Sequence, residues 1–428
     1  VFILLIRHEK STMTSGLRIV TQSMPNAESV AISISIKAGS RDENIDEHGV
    51  AHFLEHMLFK GTKNRPSPLL VTSPIESTGG SLNASTGYES TTYWCHIPKN
   101  DFSIGISILL DMIQNPLLQE HDIDSERSVV IEEIKSIEDY PDSKAALNLD
   151  ELMWGCTALG RDIAGSVQSI QDMNQIKITN FMDQLYAPAN IVISISGNVS
   201  HEAALEAIEN SFIGKYPKNK TTRYDNIKVS KISPQITLEH REIEQVHIHI
   251  GYHGVSRSHP DRYALAMLSL ILGDGMSSRL FQEIRERRGL VYDIESGTSH
   301  LQDVGDFRIT LAVHRDKYVE AIKSILEEIE GVKRDLGNPE VTRAKQIMSG
   351  RRRLRMDNTQ SVASWNAQQE LFNNHIDSEN LIKKLIERNN QTNLQRVATE
   401  YLNMSNLNLS VVGDIDCNEA ILDKITEI

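Results

Sequence analysis

The fold of this chain is decided by the stretch Glu47-His48-Gly49-Val50-Ala51-His52-Phe53-Leu54-Glu55-His56-Met57-Leu58-Phe59-Lys60-Gly61. Its apolar residues recur at the spacing of one helical face, and they are Val50, Phe53, Leu54, Met57 and Leu58. This spacing predicts a helix whose apolar face lies in a hydrophobic core. His52 and His56 are four residues apart, so they lie on adjacent turns of the other face, with Glu55 between them.

The polar face of this predicted helix has the H-x-x-E-H arrangement of a metal site. Two histidines at this spacing can bind one metal ion, and the glutamate between them is then free to act on a water molecule. The alternative is a pair of surface or capped histidines that binds no metal. Because a catalytic zinc ion usually has three protein ligands, the metal interpretation requires a third ligand from elsewhere in the chain.

Length and composition set broad limits on the kind of protein. The chain has 428 residues, which predicts two domains, and 39% hydrophobic with 24% charged residues is typical of a globular protein. No apolar run approaches the ~20 residues of a membrane span, and a net charge of −14 argues against a general nucleic-acid partner. Three cysteines without a C-x-x-C pair argue against a disulfide framework and for a reducing compartment.

The amino-terminal residues 1–6 are apolar, but no basic region precedes them and no small-residue cleavage site follows them. We therefore expect a strand or a non-native remnant there, with a trimmed signal sequence as the further alternative. An Arg-rich amphipathic leader is also missing, which favours a bacterial cytoplasm over an organelle, although a removed leader would look the same. The mitochondrial matrix and the periplasm remain alternatives.

Two segments of the chain recur at nearly the same offset. The segment 190–199 is echoed 216 residues later by 406–415, and residues 31–40 are echoed 215 residues later. The agreement predicts a duplicated domain. We expect a zinc-bearing domain at residues 1–214, a polar linker at 215–234 and a homologous domain at 235–428. At the repeat position of the histidine stretch, Ala264 to Ile271 contain no metal ligands, so the second copy has no such site.

The third ligand is sought in a second amphipathic stretch, from Asp124 to Ile137. Helical spacing places Glu126 and Glu133 on one face with apolar residues, whereas Glu132 is turned away. An ionised carboxylate in an apolar setting requires a partner, and a metal ion is an effective one. The alternative is a half-exposed helix on which Glu132 and Glu133 both reach water.

Three other groups of residues are candidates for function. A glycine-led strand contains Gly80, Asn83 and Ala84, where another backbone could approach, although an ordinary edge strand has the same composition. Arg285 and Tyr292 could donate hydrogen bonds to a carbonyl or an oxyanion, or simply face water. His247 and His249 share one strand face, but no acidic or cysteine companion stands near them in the sequence, so we expect no metal there.

The combination of His52-Phe53-Leu54-Glu55-His56, a glutamate at position 133 and a duplicated domain resembles the pitrilysin and insulin-degrading-enzyme family. The length is similar to that of its mitochondrial processing peptidase branch, in which one chain carries two domains. The resemblance extends over about residues 17–415. It implies an α/β (α+β) fold of two homologous domains, each with a mainly antiparallel sheet and helices packed on one side.

The resemblance also implies roles for particular residues. One zinc ion per chain would be held by His52, His56 and Glu133, with Glu55 as the general base. Glu126 matches the family's second acidic residue, seven positions before the third ligand.

Substrate contacts follow from the same resemblance. Asn83 and Ala84, with Gly80 at the start of their strand, match the strand that pairs with the substrate backbone. Arg285 and Tyr292, seven residues apart, match a pair that the metal-free domain contributes to substrate and transition-state binding.

The expected function is therefore a zinc endopeptidase that cleaves unfolded peptides or presequence-like segments inside a chamber. Two domains make half of the family's chamber, so we expect a homodimer in which Arg285 and Tyr292 complete the site of the partner chain or of a closed form of the same chain. The alternative is a non-catalytic core, scaffold or substrate-binding subunit of the same family, which would need none of His52, Glu55, His56 and Glu133.

Overall fold

The structure is a computed structural model that describes residues 8–212, 226–227, 229 and 233–415. The predicted strand at residues 1–6 and most of the predicted linker at 215–234 lie outside these residues. The strands are β1 His8–Thr12, β2 Arg18–Ser23, β3 Ser29–Ile36, β4 Ser81–Thr86, β5 Thr91–Pro98, β6 Ile191–Gly197, β7 Gln235–His240, β8 Gln245–His253, β9 Val291–His300, β10 Gly305–His314 and β11 Leu407–Gly413.

The helices in chain order are α1 Val50–Leu58, α2 Pro68–Glu76, α3 Phe102–Gln114, α4 Glu120–Asp139, α5 Pro141–Trp154, α6 Val167–Gln171, α7 Gln175–Leu185, α8 His201–Ser211, α9 Arg262–Leu272, α10 Tyr318–Arg334, α11 Asn338–Arg355, α12 Thr359–Asn373, α13 Glu379–Glu387 and α14 Gln391–Tyr401. A π-helical segment covers Phe281–Arg287. No helix in the described ranges is long and apolar enough to cross a membrane.

The chain forms two compact units, and each draws on both halves of the sequence. The first unit comprises Val1–Ile134, Asp162–Tyr224 and Arg353–Asp377. The second comprises Lys135–Arg161, Asp225–Arg352 and Ser378–Ile428. The prediction of two contiguous domains at 1–214 and 235–428 remains a prediction, since these units are defined by spatial contacts and not by homology.

The first unit is built on a six-stranded sheet with the order β1-β2-β6-β3-β5-β4. Strand β6 is parallel to β2, and the other pairs are antiparallel. Alternate residues of β3 face opposite sides of the sheet, so Ile32 and Ile34 join the core with α1 and α3. This core buries the apolar face of α1 that the sequence predicts.

The second unit repeats this arrangement with a five-stranded sheet, ordered β7-β11-β8-β10-β9. Strand β11 is parallel to β7 and antiparallel to β8, as β6 is to β2 and β3. The repeated segments 190–199 and 406–415 thus hold equivalent strands. The predicted fold class is confirmed, since both units have a mainly antiparallel sheet with helices packed against it.

The prediction that helices pack on one side of each sheet leaves out one helix, since in the described part of the chain a helix also packs on the second face of each sheet. In the first unit α12 packs on β2, β3 and β6, and in the second unit α5 packs on β7, β8 and β11. These are equivalent strands, and each covering helix comes from the half of the chain that does not supply most of its unit. Under α12 the strands carry the small residues Ser33, Ser35, Ser194 and Ser196, all fully buried.

Candidate metal centre

Helix α1 begins at a glycine that no other residue could easily replace. Gly49 has a φ of 89°, and a Cβ atom there would lie 2.8 Å from the carbonyl oxygen of Ala164. The buried carboxylate of Glu43 accepts hydrogen bonds from the backbone N–H groups of Gly49 and Ala51, both at 2.9 Å. This carboxylate satisfies first-turn donors of the helix and fixes where α1 begins.

The two faces of α1 have different surroundings. Val50, Phe53, Leu54, Met57 and Leu58 are fully buried in the core of the first unit. His52, Glu55 and His56 on the opposite face are partly exposed. The predicted helix and its division into an apolar and a polar face are therefore both present in the structure.

The structure brings His52, His56 and Glu133 together. The Nε2 atoms of His52 and His56 are 3.2 Å apart, and they lie 3.8 Å and 3.7 Å from the two carboxylate oxygens of Glu133. Donor atoms of all three residues lie within 4.8 Å of one another, which in the described part of the chain singles out this group as a candidate metal site.

His56 is held from its other side by a buried carboxylate. Its Nδ1–H donates to Glu126 Oε1 at 2.8 Å, and the second oxygen of Glu126 contacts the ammonium group of Lys60. Burial by itself would raise the pKa of Glu126, but the hydrogen bonds from His56 and Lys60 lower it below its ordinary value. Burial by itself would lower the pKa of His56, but the hydrogen bond to Glu126 and the nearby charges of Glu133 and Glu55 raise it. The contact with Glu126 orients the ring so that Nε2 points towards His52 and Glu133.

The donor set fits a zinc ion. Burial, followed by the neighbouring His56, lowers the pKa of His52 to about 4, so its imidazole is neutral at neutral pH, the form that binds metals. Its Nδ1 is buried without a hydrogen-bond partner among the described residues. Two imidazoles and one carboxylate are the ligands of many catalytic zinc sites.

Helix α4 carries its two site carboxylates in different environments. The sequence places both Glu126 and Glu133 among apolar neighbours, but only the Glu126 side chain is buried, at 5% exposed, whereas the Glu133 side chain is 42% exposed. The buried face of α4 is formed by Ile123, Glu126, Val130 and Ile134, and Val129 is exposed. Glu133 stands at the margin of that face, where it reaches the two histidines.

Glu55 has a partner that sequence reasoning missed. The hydroxyl of Thr86, the last residue of β4, donates to Glu55 Oε2. Burial raises the pKa of the Glu55 carboxyl, and the Thr86 hydrogen bond opposes that shift. The sequence signal that could have pointed to Thr86 is the alternation of β4, which places Thr86 on the same strand face as Leu82 and Ala84.

Strand β4, which holds Asn83 and Ala84, is at the edge of the first sheet as far as the described strands go. The Asn83 side-chain oxygen accepts a hydrogen bond from the Ala84 N–H at 2.8 Å. Gly80 precedes the strand, and a Cβ atom there would lie 2.6 Å from Ile97 Cγ2 and 2.8 Å from the His96 carbonyl oxygen. Internal packing therefore explains the glycine at position 80, and its role in substrate binding stays a prediction.

Arg285 and Tyr292 are neighbours within the second unit. The guanidinium carbon of Arg285 lies 5.0 Å from the centre of the Tyr292 ring and 4.5 Å from that of Phe281. Tyr292 is 80% exposed. The Arg285 side chain is 32% exposed and also lies 3.7 Å from Glu286 Oε1. The predicted role of Arg285 and Tyr292 stays a prediction.

His247 and His249 have an acidic neighbour that is distant in the sequence. Asp142 Oδ1 on α5 lies 3.5 Å from His247 Nδ1 and 3.0 Å from His249 Nε2. Hydrogen bonding to His249 is the largest cause that lowers the pKa of Asp142. These contacts join α5 to β8.

Comparison with known proteins gives two matches to family models. Residues 18–167 match the model described as insulinase, peptidase family M16, and residues 172–348 match the peptidase M16 inactive domain. The first match contains the histidine stretch and Glu133, and the second contains Arg285 and Tyr292.

Individual relatives cover most of the chain. An uncharacterised zinc protease of Streptomyces coelicolor is 32% identical over 374 residues, which are 85% of this chain and 80% of that protein. The uncharacterised zinc protease YmxG of Bacillus subtilis is 31% identical over 390 residues, 91% of this chain and 93% of that protein. A crystal structure of a Helicobacter pylori protease matches in fold, with a TM-score of 0.90 at 24% identity over 96% of this chain and 100% of that one.

Proposed function

The chain belongs to peptidase family M16, the insulinase family, and from this premise we propose that it is a zinc-dependent endopeptidase acting on unfolded peptides. Its membership confirms the pitrilysin-like family predicted from the sequence. Relatives named as zinc proteases support the reaction class, and the site chemistry supports the residue roles that follow.

The observation that carries the proposal is the convergence of His52, His56 and Glu133 beside an independent carboxylate, Glu55. A scaffold subunit needs neither a set of three ligands nor a nearby base. These residues come from two helices that are far apart in the sequence, and their donor atoms face one another.

His52, His56 and Glu133 would hold the zinc ion. When bound, zinc would polarise the scissile carbonyl group and make a water molecule nucleophilic at neutral pH. Glu126 keeps the His56 imidazole oriented, and Lys60 balances the charge of Glu126.

Glu55 would act as the general base. Its carboxylate would take a proton from the water that attacks the peptide carbonyl, and then pass that proton to the leaving amine nitrogen. Burial raises the Glu55 pKa, which makes this carboxylate a stronger base than one in water.

The peptide would bind as an added strand along β4. An edge strand offers backbone groups to an extended peptide, so affinity requires little side-chain specificity. The Ala84 N–H donates to the Asn83 side-chain oxygen, so a peptide that pairs with this donor would have to displace the Asn83 side chain.

Two chains would form the working enzyme, with Arg285 and Tyr292 of one chain acting on peptide at the zinc site of the other. The contact between the exposed Tyr292 ring and the partly exposed Arg285 guanidinium supports their action as a pair on a bound peptide. A guanidinium and a phenol can both donate to an oxyanion.

The decisive experiment is cleavage of a quenched fluorescent peptide by zinc-loaded protein and by Glu55→Gln. We expect kcat to fall about 100-fold or more in the variant, because the base is lost, with zinc content unchanged. The matched control is Glu132→Gln, an exposed glutamate on α4, which should keep the parent rate. Cleavage by Glu55→Gln at the parent rate, or parent activity that persists after chelation, would contradict the proposal.

The dimer is tested by mixing two inactive variants. One carries Glu55→Gln, and the other carries Arg285→Ala together with Tyr292→Phe. We expect each alone to be about 100-fold slower than the parent, and a mixture to regain activity because mixed dimers contain one intact site. A fully active monodisperse monomer would contradict the proposed dimer. Parent-like activity of the Arg285→Ala, Tyr292→Phe variant would contradict the proposed role of these two residues.

A further inference from the structure

The strand proposed to bind peptide also contacts the proposed general base. Thr86 ends β4, and its hydroxyl donates to Glu55 Oε2. Leu82 and Ala84 share its strand face and pack against the core of the first unit. Because this packing holds β4 in place, the strand backbone fixes the position of the Thr86 hydroxyl beside Glu55.

The hydroxyl group of Thr86 has a second hydroxyl group, that of Thr91, close to it. Thr91 is opposite Thr86 in the β4–β5 pair, and its buried hydroxyl donates to the Ala38 carbonyl oxygen at 3.0 Å. The hydroxyl oxygens of Thr86 and Thr91 are 3.4 Å apart. Because an ionised carboxylate can only accept, the one proton of the Thr86 hydroxyl goes to Glu55, while Thr91 donates its own to Ala38.

A hydroxyl is chemically suited to this position. It holds one oxygen of the Glu55 carboxylate by a hydrogen bond and leaves the other oxygen to accept a proton. A lysine or arginine at the same place would neutralise the carboxylate and weaken it as a base. Thr86 thus provides orientation without a charge.

We propose that Thr86 is a positioning residue that fixes the Glu55 carboxylate relative to β4, so that one strand sets the place of both the base and the bound peptide. This inference rests on the proposed function. A carboxylate released from Thr86 would still be present and still ionisable, but its oxygen would no longer stay aligned with the attacking water.

The test compares Thr86→Val, which keeps the branched shape, with Thr86→Ser, which keeps the hydroxyl. For Thr86→Val we expect kcat to fall about 10- to 100-fold, with KM and zinc content close to the parent values. Thr86→Ser should restore most of kcat. The control is Thr92→Val, which removes a hydroxyl bonded to Ser35 at 2.9 Å on the next strand, and should leave kcat unchanged.

A double variant separates positioning from general damage. Thr86→Val should slow the parent but add nothing to Glu55→Gln, because it acts only through that carboxylate. Equal losses in Thr86→Ser and Thr86→Val, or a Thr86→Val effect that persists in Glu55→Gln, would overturn the proposal.

A crystal structure of zinc-loaded Thr86→Val gives an answer even if the protein cleaves no peptide. We expect the Glu55 carboxylate to leave the position it has in the parent. An unmoved carboxylate would overturn the role of Thr86, whereas absent cleavage by the parent would overturn the proposed function alone.

Discussion

Three glutamates at the candidate centre differ because their surroundings differ. Glu126 is buried but stays ionised, since His56 and Lys60 both donate to it. Glu55 has a raised pKa because burial outweighs its hydrogen bond to Thr86. Glu133 is partly exposed and faces the two imidazoles. The same side chain is therefore suited to three tasks, which are orienting a ligand, moving a proton and binding a metal ion.

A fourth carboxylate, that of Asp111, holds the segment 62–65 that follows α1. Asp111 on α3 accepts hydrogen bonds from Thr62, Asn64 and Arg65, each at 2.6 Å. Burial alone would raise the pKa of Asp111, but these bonds and one from Asn115 lower it. Lys60, the partner of Glu126, lies just before this fastened segment.

The lowered pKa of Asp111 predicts how stability depends on pH. Its contribution is complete above the ordinary carboxyl pKa of about 4 and is lost as the pH falls through the lower value of the folded state. We therefore expect Asp111→Asn to be less stable at neutral pH and to lose less stability than the parent on acidification from about pH 5 to pH 3. Urea unfolding midpoints across that range measure both effects.

The control for this prediction is Glu76→Gln, which changes an exposed carboxylate on α2. It should follow the pH dependence of the parent. An Asp111→Asn variant whose stability falls as steeply as that of the parent would show that the Asp111 hydrogen bonds do not lower its pKa.

At the scale of elements, sequence patterns predicted α1 and the repeated strands well. The apolar stripe from Val50 to Leu58 coincides with α1, and the repeated segment at residues 31–40 begins within β3 Ser29–Ile36. These elements each bury one face in a nearby core, and a period of 3.6 or 2 in the sequence is the direct result.

The serine face of the first sheet could not be interpreted from the sequence. Ser33 and Ser35 alternate with isoleucines, a pattern typical of a strand with one face in water. The structure buries them under α12, which lies more than 300 residues later in the chain. Alternation cannot distinguish water from a distant helix that packs closely on small side chains.

Contacts between individual side chains could not be predicted from the sequence patterns either. Thr86 stands at the end of an ordinary polar strand, and its contact with Glu55 depends on how α1 packs beside β4. Asp142 meets His247 and His249 only because α5 packs on β8. In both cases tertiary packing creates the pair.

At the scale of the whole molecule, the duplication is more complete than the repeated strands indicate. Equivalent strands of both sheets are covered by one helix each, α12 and α5, and each helix comes from the opposite half of the chain. A cut at residues 215–234 would therefore remove α12 from the first sheet and α5 from the second. At the repeat position of α1, the described helix α9 contains neither histidine nor glutamate.

The central claim is that His52, His56 and Glu133 hold one zinc ion per chain. Anomalous diffraction at the zinc edge, on crystals of the full chain grown with zinc, tests it most directly. We expect one zinc peak about 2.1 Å from the Nε2 atoms of His52 and His56, with Glu133 as the third protein ligand. No peak there, or zinc bound by other residues alone, would show that these three residues do not form the zinc site.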